Sequence, residues 1–366
     1  MALDLTDPAA LAASLDPPTR ALIGGRSVES ASGRTFATLN PATGAELAQV
    51  AECDATDVDR AVAAARTAFE DGPWGRMTPS DRKRLILRFA SLVEAHTDEL
   101  AIIDAPHFQR LRRIKQLGFA ELVFPGAVHN RYLHSIGAMH LAGRAFDVCF
   151  RDKPFATKEA RHSYRHCVRL AALCHDLGHA PFSHAAEFAM PPLRDLNIRC
   201  YDPEKVAHRM GERASHEDYT VAILTQSSLA ETIREHFDFC PEHVARLVSH
   251  EVMIEDDFFS HGEFDLRFLL SQIISSDLDS DRLDYLLRDS YFTGARYGQT
   301  DVNWLVSNMA RHVDEEGRVS LAIDRRALYA FDDFMVARFH MFVMVYFHHR
   351  TNAYDRMLLE FLDSLD

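Results

Sequence analysis

The sequence predicts a mainly α-helical protein with a metal site at its centre, preceded by a small α/β segment. Three observations point there. Histidine and aspartate occur in the order His134…His175-Asp176…Asp281, donor types that suit one divalent metal. Asp281, Tyr285 and Asp289 recur at i, i+4 and i+8, so one helix face carries all three. The first hundred residues instead read as short strands and turns followed by amphipathic helices.

At 366 residues there is room for two domains. The 47% apolar and 26% charged content is that of an ordinary soluble globular protein. A net charge of −14 provides no global basic field, so nucleic acid is not an expected partner. The six cysteines (53, 149, 167, 174, 200, 240) form no Cys-x-x-Cys pair, which favours reduced thiols in a cytoplasmic protein. Cys174 reads as core filler. The N-terminus lacks the basic start and apolar run of a signal peptide. The apolar run Phe339 to Phe347 is too short to span a bilayer and contains His340, so no membrane association is expected.

From Arg20 to Val50 the pattern is short strands, with Gly24-Gly25 and Asn40-Pro41-Ala42-Thr43-Gly44 as turns. Thr56 is expected to cap a helix from Asp57 to Phe69, whose Val58, Ala61, Val62, Ala65 and Phe69 fall at helical spacing. Gly72-Pro73 ends it. A second helix follows Pro79, with Leu85, Phe89, Leu92 and Val93 on one face. Leu22 to Val28, Leu39 to Gly44 and Ala61 to Phe69 through Trp74 resemble the N-terminus of the aldehyde dehydrogenase superfamily, as far as about Glu99-Leu100. No Gly-x-Gly-x-x-Gly loop follows, and no cysteine stands in the context of that family's nucleophile. Cys53 reads as an ordinary thiol. The segment is therefore expected to bind no NAD and to carry no dehydrogenase chemistry.

The text then changes. Asp104 to Gly118, Val123 to Ala127, Asn130-Arg131-Tyr132-Leu133-His134-Ser135-Ile136-Gly137, the run Ala172 to His184 and the run Ser276 to Tyr285 all follow in order. Together they resemble the HD-domain deoxynucleoside triphosphate triphosphohydrolases. The resemblance implies a helical bundle with minor strands, a divalent metal (Mn, Fe, Mg, Ni or Zn) and a homo-oligomer. It also implies hydrolysis of a deoxynucleotide to deoxynucleoside and triphosphate. The expected domains are 1–102, a dehydrogenase-like fragment, and 103–366, an HD phosphohydrolase domain. The family's leading strand is absent and the match runs to the end of the chain, so the second domain is expected to be C-terminally truncated.

The same resemblance assigns roles. His134, His175, Asp176 and Asp281 are the metal ligands; two histidines and two carboxylates suit an open, near-octahedral shell, whereas a closed structural zinc site more often uses cysteine. His179 is expected one helical turn after His175, before Pro181 ends that helix. His184 is the first choice for the acid to the 5′-oxygen, with His179 and His216 stabilising phosphate charge, Glu187 orienting a histidine, and Glu217 beside His216 matching a family position. Arg131, Gln116, Arg282 and Arg338 are expected at phosphate and base, Gln116-Leu117 at the sugar edge, Tyr285 at the deoxyribose and Asp289 at its 3′-hydroxyl. Tyr346 and His348 fall in a late nucleotide-contacting helix. Asp284 is expected to face outward and pair with Arg288 at i, i+4. Arg110 and Arg113 are expected on solvated surface, and an activator site at Arg112 is in doubt without the leading strand. His162, His166, His243 and His261 are expected as surface or capping residues. Two alternatives stay open: an HD phosphohydrolase acting on other nucleotides, and a catalytically silent interaction module.

Overall fold

A computed structural model describes residues 19–39, 45–94, 96–152 and 155–364. The turn expected at Asn40 to Gly44 lies outside the described residues. The chain divides into two compact units, residues 1–95 and 96–366.

The first unit opens with two antiparallel hairpins, β1 (Ala21–Ile23) with β2 (Arg26–Val28), and β3 (Thr35–Leu39) with β4 (Glu46–Ala51). Helix α1 (Ala55–Asp71) follows, then α2 (Pro79–Glu94). The cap of α1 is Asp54 rather than Thr56. Asp54 accepts from the Thr56 amide, and Asp57 reaches back to the Asp54 amide in a capping box. Asp57 is buried and accepts with both oxygens from the Ala31 amide, which ties the turn after β2 to the helix. Val58, Val62, Phe69, Leu85, Phe89 and Leu92 on the two helices are exposed.

The second unit is helical. Its elements are α3 (Thr97–Asp104), α4 (Arg131–Cys149), α5 (Lys158–Cys174), α6 (His216–Gln226), α7 (Pro241–Val248), α8 (Arg267–Ile274), α9 (Ser280–Thr293), α10 (Leu328–Met341) and α11 (His349–Asp363). Strands β5 (Met309–Val313) and β6 (Val319–Ile323) form a hairpin. Side-chain caps start the central helices: Asn130 for α4, Thr157 for α5 and Asp279 for α9. The run Cys167 to Cys174 in α5 is buried throughout, and it packs with Phe108, Phe146, Leu224, Leu269 and Leu283 into one core. Such all-round burial marks α5 as an interior helix.

Helix α5 stops at Cys174, so His175 opens a turn instead of continuing the helix to His179. The Leu177 and His179 amides bond to carbonyls only three residues back. The Leu177 and His179 carbonyls accept from the Arg110 guanidinium at 2.5 and 2.7 Å, outside any helical ladder. Arg110 is exposed, as expected, yet its guanidinium also clamps this turn.

The compact units divide before residue 96, upstream of the junction at 102/103 expected from sequence. The reason lies in α3. Ile102 is wholly buried in the helical core, and Arg169 of α5 grips both carboxylate oxygens of the buried Glu99. Burial alone would raise the Glu99 carboxyl, but the Arg169 hydrogen bonds and charge hold it below the usual range. Glu99→Ala leaves Arg169 buried and unpaired. It should lower the stability of the helical unit by about 3–5 kcal/mol, read as a fall in the urea midpoint by circular dichroism. An unchanged midpoint would contradict that role.

Candidate active site

The site forms where α4, the turn after α5, and α9 meet. His134 Nε2 lies 2.9 Å from Asp281 Oδ1, 3.4 Å from His175 Nε2 and 3.7 Å from Asp176 Oδ2. His175 Nε2 lies 3.3 Å from Asp176 Oδ1 and 3.4 Å from Asp281 Oδ1. Neighbouring donors of a six-coordinate ion with bonds of about 2.1 Å stand about 3 Å apart, so His134, His175 and Asp176 could hold one divalent metal, with Asp281 Oδ1 beside both histidines. The outward nitrogens are committed. His134 Nδ1 is 2.8 Å from Asp284 Oδ2, and His175 Nδ1 is 2.8 Å from the Ala172 carbonyl. Donation from each Nδ1–H leaves both Nε2 lone pairs facing the centre.

Asp284 is buried, in contrast to its expected outward position. Its Oδ2 also receives Arg288 Nε and its Oδ1 receives Arg288 Nη2, both at 2.8 Å. The i, i+4 pair is present, but it faces inward behind His134. Gly137 makes the room, because a Cβ there would collide with Asp284 and Arg288. Asp176 is held by Arg131, whose Nη1 donates to Oδ2 at 2.6 Å while its Nε donates to Ser183 Oγ at 3.1 Å. Arg131 is thereby drawn onto the ligand, although it still lines the cavity.

Charge at the cluster is set by these pairs. Burial opposes a charge on His134, yet hydrogen bonds to Asp281 and Asp284 raise it to about 10. His175 is raised to about 9, with Asp176 and Asp281 overcoming burial. Burial would raise Asp176, but Arg131 and His175 hold it well below the carboxylate range.

A second group sits beside the first. His179 and His216 stack at 3.8 Å and 12°, and His184 stands edge-on to His179 at 4.8 Å. Glu187 Oε1 lies 2.5 Å from His216 Nδ1 and 3.0 Å from His184 Nδ1. Burial would raise the Glu187 carboxyl, but its hydrogen bonds with His184 and His216 hold it well below the usual range. The Asp176 carboxylate is 3.3 Å from His179 Nε2, while His179 Nδ1 is buried without a partner. Burial and the Arg131 charge push His179 down to about 3, so it is neutral at ordinary pH. Local backbone explains the grouping. Gly178 lets α6 approach, since a Cβ would collide with the His216 carbonyl, and Thr220 Oγ bridges the His175 carbonyl and the Gly178 amide. Phe182 and Ser183 adopt φ of 68° and 56°, a left-handed turn that non-glycine residues seldom take. Ser183 holds that turn by donating to the Lys115 carbonyl.

Both groups open on a cavity of about 600 Å³, of ordinary size for a small-molecule site. Gln116, Leu117, Arg282, Tyr285, Asp289 and Tyr346 line it, as does Glu217. Gln116 Oε1 is buried without a partner. Asp289 is fully engaged, with Oδ1 2.7 Å from His129 Nε2 and Oδ2 accepting from the Tyr346 hydroxyl at 2.9 Å. His129 was not anticipated; no spacing rule links it to Asp289, which stands 160 positions away. Arg338 is not among the lining residues. Its guanidinium lies 5.6 Å from the Phe342 ring, because the widened π-helical turn Phe342–Tyr346 presents Phe342, Val345 and Tyr346 to the cavity instead. His348 does not line it either and caps α11. His166 and His243, expected at the surface or in caps, are both buried. His243 also caps α7 by accepting from the Cys240 amide, and its ring stacks on Phe258.

Fold and site together define a helical protein whose core can hold a divalent metal in a His/Asp cluster. Residues 131–288 match the HD domain family, and residues 27–108 match the aldehyde dehydrogenase family. Residues 131–288 thus carry an HD domain, behind a segment similar to the aldehyde dehydrogenase family. It is 29% identical over 308 residues to the human deoxynucleoside triphosphate triphosphohydrolase SAMHD1, covering 76% of this chain and 47% of that protein. A crystal structure of a phosphohydrolase from Bacteroides thetaiotaomicron is similar at 29% identity and a TM-score of 0.53, covering 71% of this chain and 53% of that one. The N-terminal part is 57% identical over 97 residues to aminoacetaldehyde dehydrogenase of Pseudomonas aeruginosa, covering 26% of this chain and 20% of the dehydrogenase. The chain spans about half the length of the HD-type curated relatives it matches. No helix among the described residues is long and apolar enough to cross a membrane.

A ligand histidine must be neutral, whereas His134 and His175 hold protons up to about 10 and about 9 before a metal binds. Metal uptake at pH 7 should therefore release a proton from each. Affinity should rise with pH until those values are passed. Calorimetry in buffers of differing ionisation enthalpy measures the release, and uptake without it would contradict the ligand set. Asp176→Ala should abolish bound metal in elemental analysis.

Proposed function

We propose that the helical unit hydrolyses deoxynucleoside triphosphates to deoxynucleoside and inorganic triphosphate, using a divalent metal. The observation that carries this reading is one cavity that joins the His/Asp cluster and the histidine group to a wall of Gln116, Leu117, Tyr285 and Asp289. His134, His175, Asp176 and Asp281 would hold the metal. When bound, it supplies Lewis-acid polarisation of a phosphate oxygen and a more acidic water. Uncatalysed phosphate-ester hydrolysis is extremely slow, so positioning and charge complementarity must remove most of the barrier.

The chain's own residues divide the remaining work. Water adds to the α-phosphorus and gives up a proton to solvent, the P–O5′ bond breaks, and the 5′-oxygen leaves with a proton from His184. Glu187 holds the Nδ1 atoms of His184 and His216, so the Nε2 atoms of both are free to meet substrate. His216 meets phosphate through its free Nε2, while neutral His179 keeps its one N–H on the Asp176 carboxylate and supports the His216 ring by stacking. Arg282, on the cavity wall, offers guanidinium donors to the triphosphate. Gln116-Leu117, on the cavity wall, would stand at the sugar edge and disfavour a 2′-hydroxyl there. The similarity to SAMHD1, described as a deoxynucleoside triphosphate triphosphohydrolase, supports the substrate class.

Phosphorus NMR of a reaction with dNTP and Mn should show triphosphate as the first product; pyrophosphate or single phosphate released first would overturn the mechanism. We also infer that the N-terminal unit adds no dehydrogenase chemistry, since its match covers only a fifth of aminoacetaldehyde dehydrogenase. Deleting residues 1–95 should leave hydrolysis within about tenfold, a barrier change of ~1.4 kcal/mol. Deletion through residue 102 removes Glu99 and should unfold the helical unit. NAD-dependent aldehyde oxidation by the full chain would refute this view of the segment.

A further inference from the structure

The cavity has polar groups on α11 that the hydrolysis mechanism does not use. Thr351 is buried, lines the cavity, and its Oγ1 has no hydrogen-bond partner. Asp355 lies four residues on, so the two share a helix face, and it also lines the cavity. Its carboxylate forms no hydrogen bond or ion pair among the described residues, and burial raises its pKa. Asp355 is half-buried, so its carboxylate stays open on the cavity wall to accept from a ligand's donors. Asn352 spends its amide on the Phe347 carbonyl at 3.4 Å, which leaves its side-chain oxygen free.

A continuous aromatic wall leads there from the sugar face. Tyr285 and Tyr346 stand 6.1 Å apart, Tyr346 and Phe342 5.0 Å, and Phe342 and Phe347 5.5 Å. A planar ring attached to a sugar at Tyr285 would extend along this wall toward α11, where Phe347 and Phe182, itself stacked on Phe119, also line the cavity.

We propose that the Thr351–Asp355 face of α11 reads the base of the nucleotide and selects guanine. This rests on the reading of the cavity as a deoxynucleotide site. An ionised carboxylate only accepts hydrogen bonds, through two oxygens side by side. Guanine alone among the four bases presents two adjacent donors on its pairing edge, the ring N1–H and the 2-amino group. Adenine and cytosine place a ring acceptor beside their amino group, and that lone pair would face the carboxylate. Thymine offers one donor between two carbonyls. Thr351, a donor and an acceptor, then completes the contact.

Calorimetry on the full, metal-loaded chain compares the binding of the α-thiotriphosphates of deoxyguanosine, deoxyinosine and deoxyadenosine. Deoxyinosine lacks only the 2-amino group. A hydrogen bond to a charged group contributes about 1.5–3 kcal/mol, so the guanine compound should bind about tenfold tighter than either of the others. Asp355→Asn should erase that difference while keeping the parent's metal content. Equal affinity for all three compounds overturns the proposal, and so does a guanine preference that survives Asp355→Asn. If the variant does not fold, the comparison on the parent chain still decides. Guanine-selective binding with the wrong hydrolysis product would leave this inference standing and remove only the reaction proposed above. A chain that binds no nucleotide removes both.

Discussion

The hydrogen bond between His134 Nδ1 and Asp284 is the contact on which the site depends. His134 is wholly buried, so its ring must be oriented by protein and not by water. Asp284 orients it, and Arg288 balances the buried carboxylate that does so. Gly137 supplies the space for both. The same logic repeats around the cluster: the Ala172 carbonyl behind His175, Arg131 behind Asp176. His134, His175 and Asp176 each have an outward partner, which is how a charged cluster persists inside a helical core.

The histidine group depends on a different constraint, the close approach of α6 to the turn after α5. Gly178 permits it and Thr220 pins it, and the result is the stack of His179 on His216. The left-handed pair Phe182-Ser183 then swings His184 across to Glu187. Backbone strain of this kind costs about 1–3 kcal/mol per residue and persists only where surroundings enforce it. Here Arg131 and the Lys115 carbonyl hold Ser183 from two sides. Arg131 therefore links the Asp176 carboxylate to the strained turn, so the metal cluster and the histidine group share a support.

The junction carries a related lesson. Sequence similarity to the aldehyde dehydrogenase family runs through residue 108, yet the helical unit begins at residue 96. Helix α3 thus has the sequence of one family and the packing of the other. Glu99 and Ile102 meet the needs of the helical core by pairing with Arg169 and by burial.

Local chemistry was legible in the sequence wherever the information is local. The order of histidines and aspartates, the shared face of Asp281, Tyr285 and Asp289, and the amphipathic helices of the first unit follow from spacing, because helical periodicity alone decides which residues are neighbours. Asp284 shows the limit: Asp284 and Arg288 at i, i+4 read identically on a solvated face and on a buried one. The end of α5 at Cys174 was equally hidden, since it depends on Arg110 reaching carbonyls 67 and 69 positions away. His129 on Asp289, Arg169 on Glu99 and the absence of Arg338 from the cavity wall belong to the same class. Sequence by itself determined which groups were available and which could share a helix face. Only tertiary structure decided which were buried together, because burial and pairing of charges depend on contacts between distant segments, and no periodicity within one segment encodes them.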